Sequence, residues 1–151
     1  MGANRWHRAG GGHDTVTERS APPTPREPVE LEIVLDDAAP RDLAPEIFRQ
    51  RLVIEGTCRR AVTADDVSRY LKDLSTVCGM RTLIEPVTHR SEKYGWAGWI
   101  HWETSGAHLY AWDHPLFFSV DVYTCKAFDA PEAVHFTRVF FDAPEIIART
   151  F

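Results

Sequence analysis

Three consecutive segments of the chain, residues 95–102, 108–112 and 117–125, have the aromatic density and the residue alternation of β-strands. Only short stretches separate them, and these contain the glycine, serine and proline residues that are common in turns. This run of strands constrains the fold more than any other feature, because strands that share a hydrophobic face need a second layer to cover it.

Two helices that bracket this run supply the second layer. The first is predicted over residues 63–79, where Thr63 caps the start and Gly79 has the residue type that ends helices. The second is predicted over residues 129–141. Further strands are predicted at 52–56, 81–89 and 145–151, with Pro86 indicating an edge strand or a bulge. The predicted fold is α+β, a two-layer sandwich in which helices cover one face of a mostly antiparallel sheet.

The chain length of 151 residues predicts one folded domain, at residues 49–151. Residues 1–48 are predicted to be an extension that is disordered over residues 1–28 and forms a short strand at 29–35. The net charge of −5 argues against nucleic acid as a partner. No apolar run reaches the roughly 20 residues of a membrane span, and no signal peptide is recognised. The expected location is the cytoplasm.

Ser105 lies between two predicted strands, and Cys125, twenty positions later, ends a third; their hydroxyl and thiol are side chains that can take part in covalent or acid–base chemistry. Two simpler interpretations remain open: Ser105 and Gly106 form only a hairpin turn, or Cys125 is a buried structural thiol. Cys58 and Cys78 are interpreted as small buried hydrophobic residues. No metal site is predicted, because the histidines are not joined by cysteine or carboxylate ligands at the required spacing.

Four segments, taken in order, resemble the small bacterial and archaeal S-adenosylmethionine decarboxylases over residues 49–150. They are residues 49–58, the pair His89-Arg90, the Gly95-x-x-Gly98 motif, and residues 120–125 with the sequence Val-Asp-Val-Tyr-Thr-Cys. The last segment is the most specific of the four.

The resemblance implies that the chain cleaves itself between Thr104 and Ser105. Ser105 would then become a pyruvoyl group, which serves these enzymes as an electron sink during decarboxylation. Cys125 would be the proton donor to the product carbon. Tyr110 occupies the position of the family's processing histidine. A homodimer, S-adenosylmethionine as substrate and a role in spermidine and other polyamine synthesis are implied in the same way.

The resemblance also suggests a substrate-binding set. Trp112 occupies a tryptophan position of the family, and aromatic rings suit a flat adenine and a sulfonium cation. Trp96 and Tyr94 are expected to replace a family phenylalanine whose position is Ser91 here. Glu103 and His108, on either side of Ser105, complete the predicted set.

Several positions depart from the family pattern. Thr104 replaces a glutamate, Tyr110 a histidine and Ala97 a serine involved in processing. A gapped alignment would put Ala107 at the reactive position and forbid a pyruvoyl group. The ungapped alignment is preferred, because a gap within paired strands would exchange their faces.

Three functions therefore remain open. The first is a pyruvoyl-dependent S-adenosylmethionine decarboxylase, a carboxy-lyase. The second is a homologue without a pyruvoyl group that binds or transforms S-adenosylmethionine or another amino acid. The third is a non-catalytic partner that regulates an active decarboxylase.

Overall fold

The computed structural model describes residues 42–151. The disorder predicted for residues 1–28 and the strand predicted at 29–35 lie outside the described residues. The elements are β1 Gln50–Thr57, α1 Ala64–Val77, β2 Val87–Ser91, β3 Gly95–Trp102, β4 Ser105–Trp112, β5 Phe117–Thr124, α2 Ala130–Phe140 and β6 Ile146–Thr150. In the described part of the chain, no helix is both long and apolar enough to cross a membrane.

The six strands form one sheet in the order β2-β3-β4-β5-β1-β6, and every neighbouring pair is antiparallel. Alternate residues of β1, β4 and β5 point to the helices and are fully buried, as in the buried–exposed pattern of β4. The α+β two-layer prediction is confirmed.

The opposite side of the sheet, which we call the outer face, is covered by no helix of residues 42–151 and is rich in aromatic and charged side chains. Trp99, Tyr110 and Tyr123 on this face are each 41–46% exposed. The outer-face residues used below are Arg51, Trp99, His101, His108, Tyr110, Trp112, Phe117, Asp121 and Tyr123.

Helix α1 packs closely against β3 because the strand has a glycine at the point of contact. A Cβ atom at Gly98 would lie 2.3 Å from the Val67 side chain. The helix begins with a capping box in which Thr63 and Asp66 each accept a hydrogen bond from the other's backbone N–H. Its buried face includes Tyr70, whose hydroxyl lies 2.8 Å from that of Thr137 in α2.

Asp66 joins the start of α1 to two arginines. Its carboxylate is 8% exposed and accepts hydrogen bonds from Arg60 at 2.7 Å and Arg69 at 2.9 Å. The hydrogen bond from Arg60 is the main cause that lowers the pKa of Asp66 far below its ordinary value.

Replacing Asp66 by asparagine is expected to lower the free energy of unfolding at neutral pH by about 1–3 kcal/mol, because two arginines lose a charged acceptor. The pKa of Asp66 is lower in the folded than in the unfolded chain. Its contribution is therefore complete above the unfolded value of about 3.9 and disappears as the pH falls through the folded value. Urea unfolding between pH 2 and 7 measures this dependence, which Asp66→Asn should weaken. The exposed neighbour provides the control Asp65→Asn, and equal losses in both variants would contradict the assignment.

Two local predictions are wrong. The strand predicted at 81–89 begins only at Val87; Thr82 makes an isolated bridge with Trp102, and Pro86, which has no N–H to donate, precedes the paired segment. Ser105 and Gly106 are not the hairpin turn, because β4 already starts at Ser105 and the turn consists of Glu103 and Thr104. Pro86 was expected to indicate an edge strand or a bulge; it lies just before β2, which is at the edge of the sheet.

Candidate functional site

Ser105 lies at the first position of β4, directly after the turn that joins β3 to β4. Its Oγ accepts a hydrogen bond from the backbone N–H of Cys125 at 3.2 Å. The Oγ1 of Thr104 lies 3.2 Å from the same oxygen. The antiparallel pairing of β4 with β5 thus brings together two residues that are twenty positions apart.

Cys125 follows the last residue of β5 and is partly exposed. Its Sγ is 3.9 Å from the hydroxyl of Tyr123, to which it donates a weak hydrogen bond. This contact raises the pKa of Tyr123 above its ordinary value, while the positive charge of Arg49 opposes the shift. Sequence reasoning missed Tyr123 and Arg49. The two-residue spacing between Tyr123 and Cys125 was a usable signal, because such side chains lie on the same side of a strand.

A groove of about 510 Å³ opens on the outer face beside Ser105, and we call it the serine groove. It contains an ion pair, in which the guanidinium of Arg51 donates two hydrogen bonds to Asp121, at 2.9 and 2.6 Å. Its lining residues are Arg51, His101, Thr104, Ser105, Gly106, His108, Asp121 and Tyr123. The serine groove can therefore offer a substrate both charged groups and imidazoles.

A second groove of about 370 Å³, the aromatic groove, lies at the other end of β3 and β4. The Trp112 ring stands 5.3 Å from that of Phe117 and 6.3 Å from that of Tyr110, centroid to centroid. Its lining residues are His89, Ser91, Tyr94, Gly95, Trp96, Ala97, Tyr110, Ala111 and Trp112. A flat, apolar group such as a purine suits such walls.

The structure divides the predicted site residues between the two grooves. Ser105 and His108 line the serine groove, and Cys125 adjoins it through its hydrogen bond to Ser105. The four predicted aromatic residues line the other groove: Tyr94, Trp96, Tyr110 and Trp112. Tyr110 is five strand positions from Ser105, which corresponds to about 17 Å.

Trp96 and Trp112, although both border the aromatic groove, belong to opposite faces of the sheet. Trp96 packs against the core on the helix side, with the Arg90 guanidinium carbon 5.4 Å from its ring centre. Trp112 lies on the outer face. Glu103 borders neither groove; its carboxylate is exposed in the turn, 3.5 Å from Arg81. A role for Trp96 or Glu103 in substrate binding stays a prediction.

Cys58 and Cys78 are buried, as their interpretation as small hydrophobic residues requires. Burial raises the pKa of the Cys58 thiol to about 11 and that of Cys78 to about 12. Both remain protonated at neutral pH and are poor nucleophiles. Among residues 42–151, no three His, Cys, Asp or Glu side chains come together in a way that could hold a metal ion.

The surroundings of Ser105 fit the formation of a pyruvoyl group from this residue. The Thr104–Ser105 peptide bond is in the turn, so its cleavage would leave β4 hydrogen-bonded to β3 and β5 along the rest of its length. Ala107, the alternative reactive position, is fully buried in the core. These observations support the ungapped alignment.

The positions of the two expected processing residues, Ala97 and Tyr110, are directly paired across β3 and β4. They face one another at the border of the aromatic groove, far from Ser105. Within one chain, both residues are too distant to contact Ser105, and a role for Tyr110 in self-cleavage stays a prediction.

The family model for S-adenosylmethionine decarboxylase matches residues 51–151. The fold is similar to the crystal structure of the adenosylmethionine decarboxylase from Aquifex aeolicus VF5, with a TM-score of 0.59 and 14% sequence identity. The similarity covers 70% of this chain and 89% of that chain. No curated protein sequence matches the chain. On the match of the family model across the whole sheet and both helices, the chain belongs to the S-adenosylmethionine decarboxylase family.

Proposed function

We propose that this protein is a pyruvoyl-dependent S-adenosylmethionine decarboxylase that cleaves itself between Thr104 and Ser105 and supplies aminopropyl groups for polyamine synthesis. The observation that carries the proposal is the 3.2 Å hydrogen bond between the Cys125 backbone and Ser105 Oγ. It joins the candidate precursor of the pyruvoyl group to the candidate proton donor in a domain of the right family. The cytoplasmic location stays a prediction.

The pyruvoyl group would supply the electron sink for loss of CO2. The chain's own residues have two tasks, which are to orient the substrate and to return a proton. Cys125 is suited to the second task, because its backbone N–H is hydrogen-bonded to Ser105, the residue is partly exposed, and the hydrogen bond from its thiol to Tyr123 restricts the orientation of the thiol.

We also propose a homodimer that associates through the outer face. Ser105 of the serine groove and Trp112 of the aromatic groove are seven strand positions apart on β4, about 23 Å, so one small substrate does not contact both residues of the same chain. A two-fold axis across the outer face would bring the aromatic groove of one protomer to the serine groove of its partner. The exposed rings of Trp99 and Tyr110 would be covered in this arrangement.

Co-expression of two inactive variants tests the composite site. Ser105→Ala removes one half of the site and Trp112→Ala the other, so each homodimer should be inactive. A mixed dimer would retain one intact site, and random pairing should restore about one quarter of the wild-type sites. Decarboxylase activity of the purified mixture measures the result. A monomer by light scattering, or an inactive mixed dimer, would contradict the composite site.

Two measurements test the proposed function: the intact mass of the purified protein, and the release of CO2 when the protein is given carboxyl-labelled S-adenosylmethionine. Two fragments, with the smaller beginning at position 105 and lacking a free amine, together with CO2 release are expected. Cleavage without CO2 release would indicate another amino acid as substrate.

A second candidate, a homologue without a pyruvoyl group, is favoured by Ala97 and Tyr110, which lack the family's processing side chains. An uncleaved chain would support it. Measuring turnover of S-adenosylmethionine by the uncleaved chain would then distinguish two possibilities. Turnover would indicate an enzyme, and binding without turnover would indicate a regulatory partner of an active decarboxylase.

A further inference from the structure

We propose that the hydroxyl of Thr104 orients the hydroxyl of Ser105 for self-cleavage and passes its proton to water, an inference that rests on the proposed self-cleavage. A serine hydroxyl is a weak nucleophile until its proton can be transferred to a neighbouring group. The residue before the cleaved bond provides the carbonyl that is attacked. In this chain it also provides a second hydroxyl, 3.2 Å from the nucleophile.

The two hydrogen-bond partners of Ser105 Oγ in the described part of the chain define how the oxygen can react. The backbone N–H of Cys125 donates to it at 3.2 Å, and Thr104 Oγ1 lies 3.2 Å away. A hydroxyl group has two lone pairs and one proton. With the N–H on one lone pair and the proton directed to Thr104 Oγ1, the second lone pair is free to attack the carbonyl carbon. If Thr104 were the donor, both lone pairs would be occupied. The reactive arrangement is therefore donation from Ser105 to Thr104.

The imidazoles near Ser105 lie on the other face of the sheet. Ser105 is on the same side of β4 as the buried Ala107, which faces the helices, whereas His101 and His108 are on the outer face. Among residues 42–151, neither imidazole is a hydrogen-bond partner of Ser105 Oγ. The Ser105 proton therefore leaves through the one side chain that contacts it, which is Thr104.

Thr104 also connects this hydroxyl to solvent. It is the second residue of the turn between β3 and β4, it is exposed, and it lines the serine groove of about 510 Å³. Water in the groove can hydrogen-bond to Oγ1. A hydroxyl can both donate and accept, so Oγ1 can give its own proton to water while it takes the proton of Ser105.

The reaction balances with water as the only co-reactant. Ser105 Oγ forms a bond to the Thr104 carbonyl carbon while its proton moves to Oγ1 and the Oγ1 proton moves to water. The carbon–nitrogen bond then breaks, and the nitrogen keeps the electron pair and takes a proton from water, which leaves an ester and a free amine. Loss of the Ser105 Cα proton expels the Thr104 carboxylate, and hydrolysis by water releases ammonia and leaves the ketone.

Removal of the Thr104 hydroxyl tests the inference. Thr104→Val keeps the branched side chain and is expected to slow cleavage about three- to tenfold, the rate equivalent of one hydrogen bond. The full chain is made by cell-free translation and chased at constant pH, and the cleaved fraction is followed by intact mass. Thr104→Ser restores the hydroxyl and should cleave at close to the wild-type rate. The matched control is Thr76→Val, the same change at an exposed position of α1 that lines neither groove, which should cleave as the wild type does.

The activity of the cleaved protein separates this chemical role from a structural one. The decarboxylation rate per cleaved chain should be the same for Thr104→Val and the wild type, because the hydroxyl acts only before the bond is broken. A lower rate would show a distorted site and contradict the inference. If Thr104→Val cleaves as fast as the wild type, or Thr104→Ser as slowly as Thr104→Val, the inference is wrong while the proposed function stands. A wild-type chain that never cleaves would overturn the proposed function, and the inference with it.

Discussion

Replacing Ser105 by alanine should leave the chain as one uncleaved polypeptide with no measurable decarboxylase activity. The methyl group cannot attack the Thr104 carbonyl, so the acyl shift does not start and no electron sink forms. The fold should persist, because Ser105 contributes only hydrogen bonds to the Cys125 N–H and the Thr104 hydroxyl at the end of β4. Intact mass of the purified protein measures the outcome directly.

Ser68→Ala is the matched control, since it makes the same change on helix α1, away from both grooves. This variant should be cleaved as the wild-type chain is. Cleavage of Ser105→Ala at the same bond would show that Ser105 is not the nucleophile, and activity in its uncleaved form would eliminate the pyruvoyl mechanism.

Helix α1 and the central strands could be predicted from sequence because their signals are local. Thr63 and Asp66 form the capping box within three residues, and the alternation of β4 and β5 matches their buried and exposed sides. The segment 81–86 was predicted as strand because its residue types suit one. Its structure depends on what it can pair with, and only Thr82 finds a bridging partner.

The arrangement of the candidate site was harder to predict from sequence, because it too depends on which strands pair. The proximity of Ser105 and Cys125 depends on the pairing of β4 with β5, which the resemblance implied but no local pattern shows. Trp96 and Trp112 were grouped by residue type, whereas the fold puts their side chains on opposite faces.

Cys125→Ala is expected to lower the decarboxylation rate by about 10²–10⁴-fold, if Cys125 returns the proton to the product carbon. The product carbanion would then be protonated by water or by a less well placed group. Substrate binding should change little, because the thiol contributes only a weak 3.9 Å contact with Tyr123. A kcat that falls while KM stays constant is the expected signature.

Measuring self-cleavage distinguishes the proposed role of Cys125 as proton donor from that of Ser105 as nucleophile. The contact that Cys125 makes with Ser105 comes from its backbone N–H, which alanine retains, so Cys125→Ala should still be cleaved into two fragments. Because Cys125 is partly exposed, the thermal unfolding midpoint should also stay close to that of the wild type.

Tyr123→Phe is the companion variant: it keeps the ring and removes the thiol's acceptor, and a smaller loss of kcat is expected. A cleaved, folded Cys125→Ala protein with full activity would show that another group is the proton donor, whereas one that fails to fold would make Cys125 a structural residue.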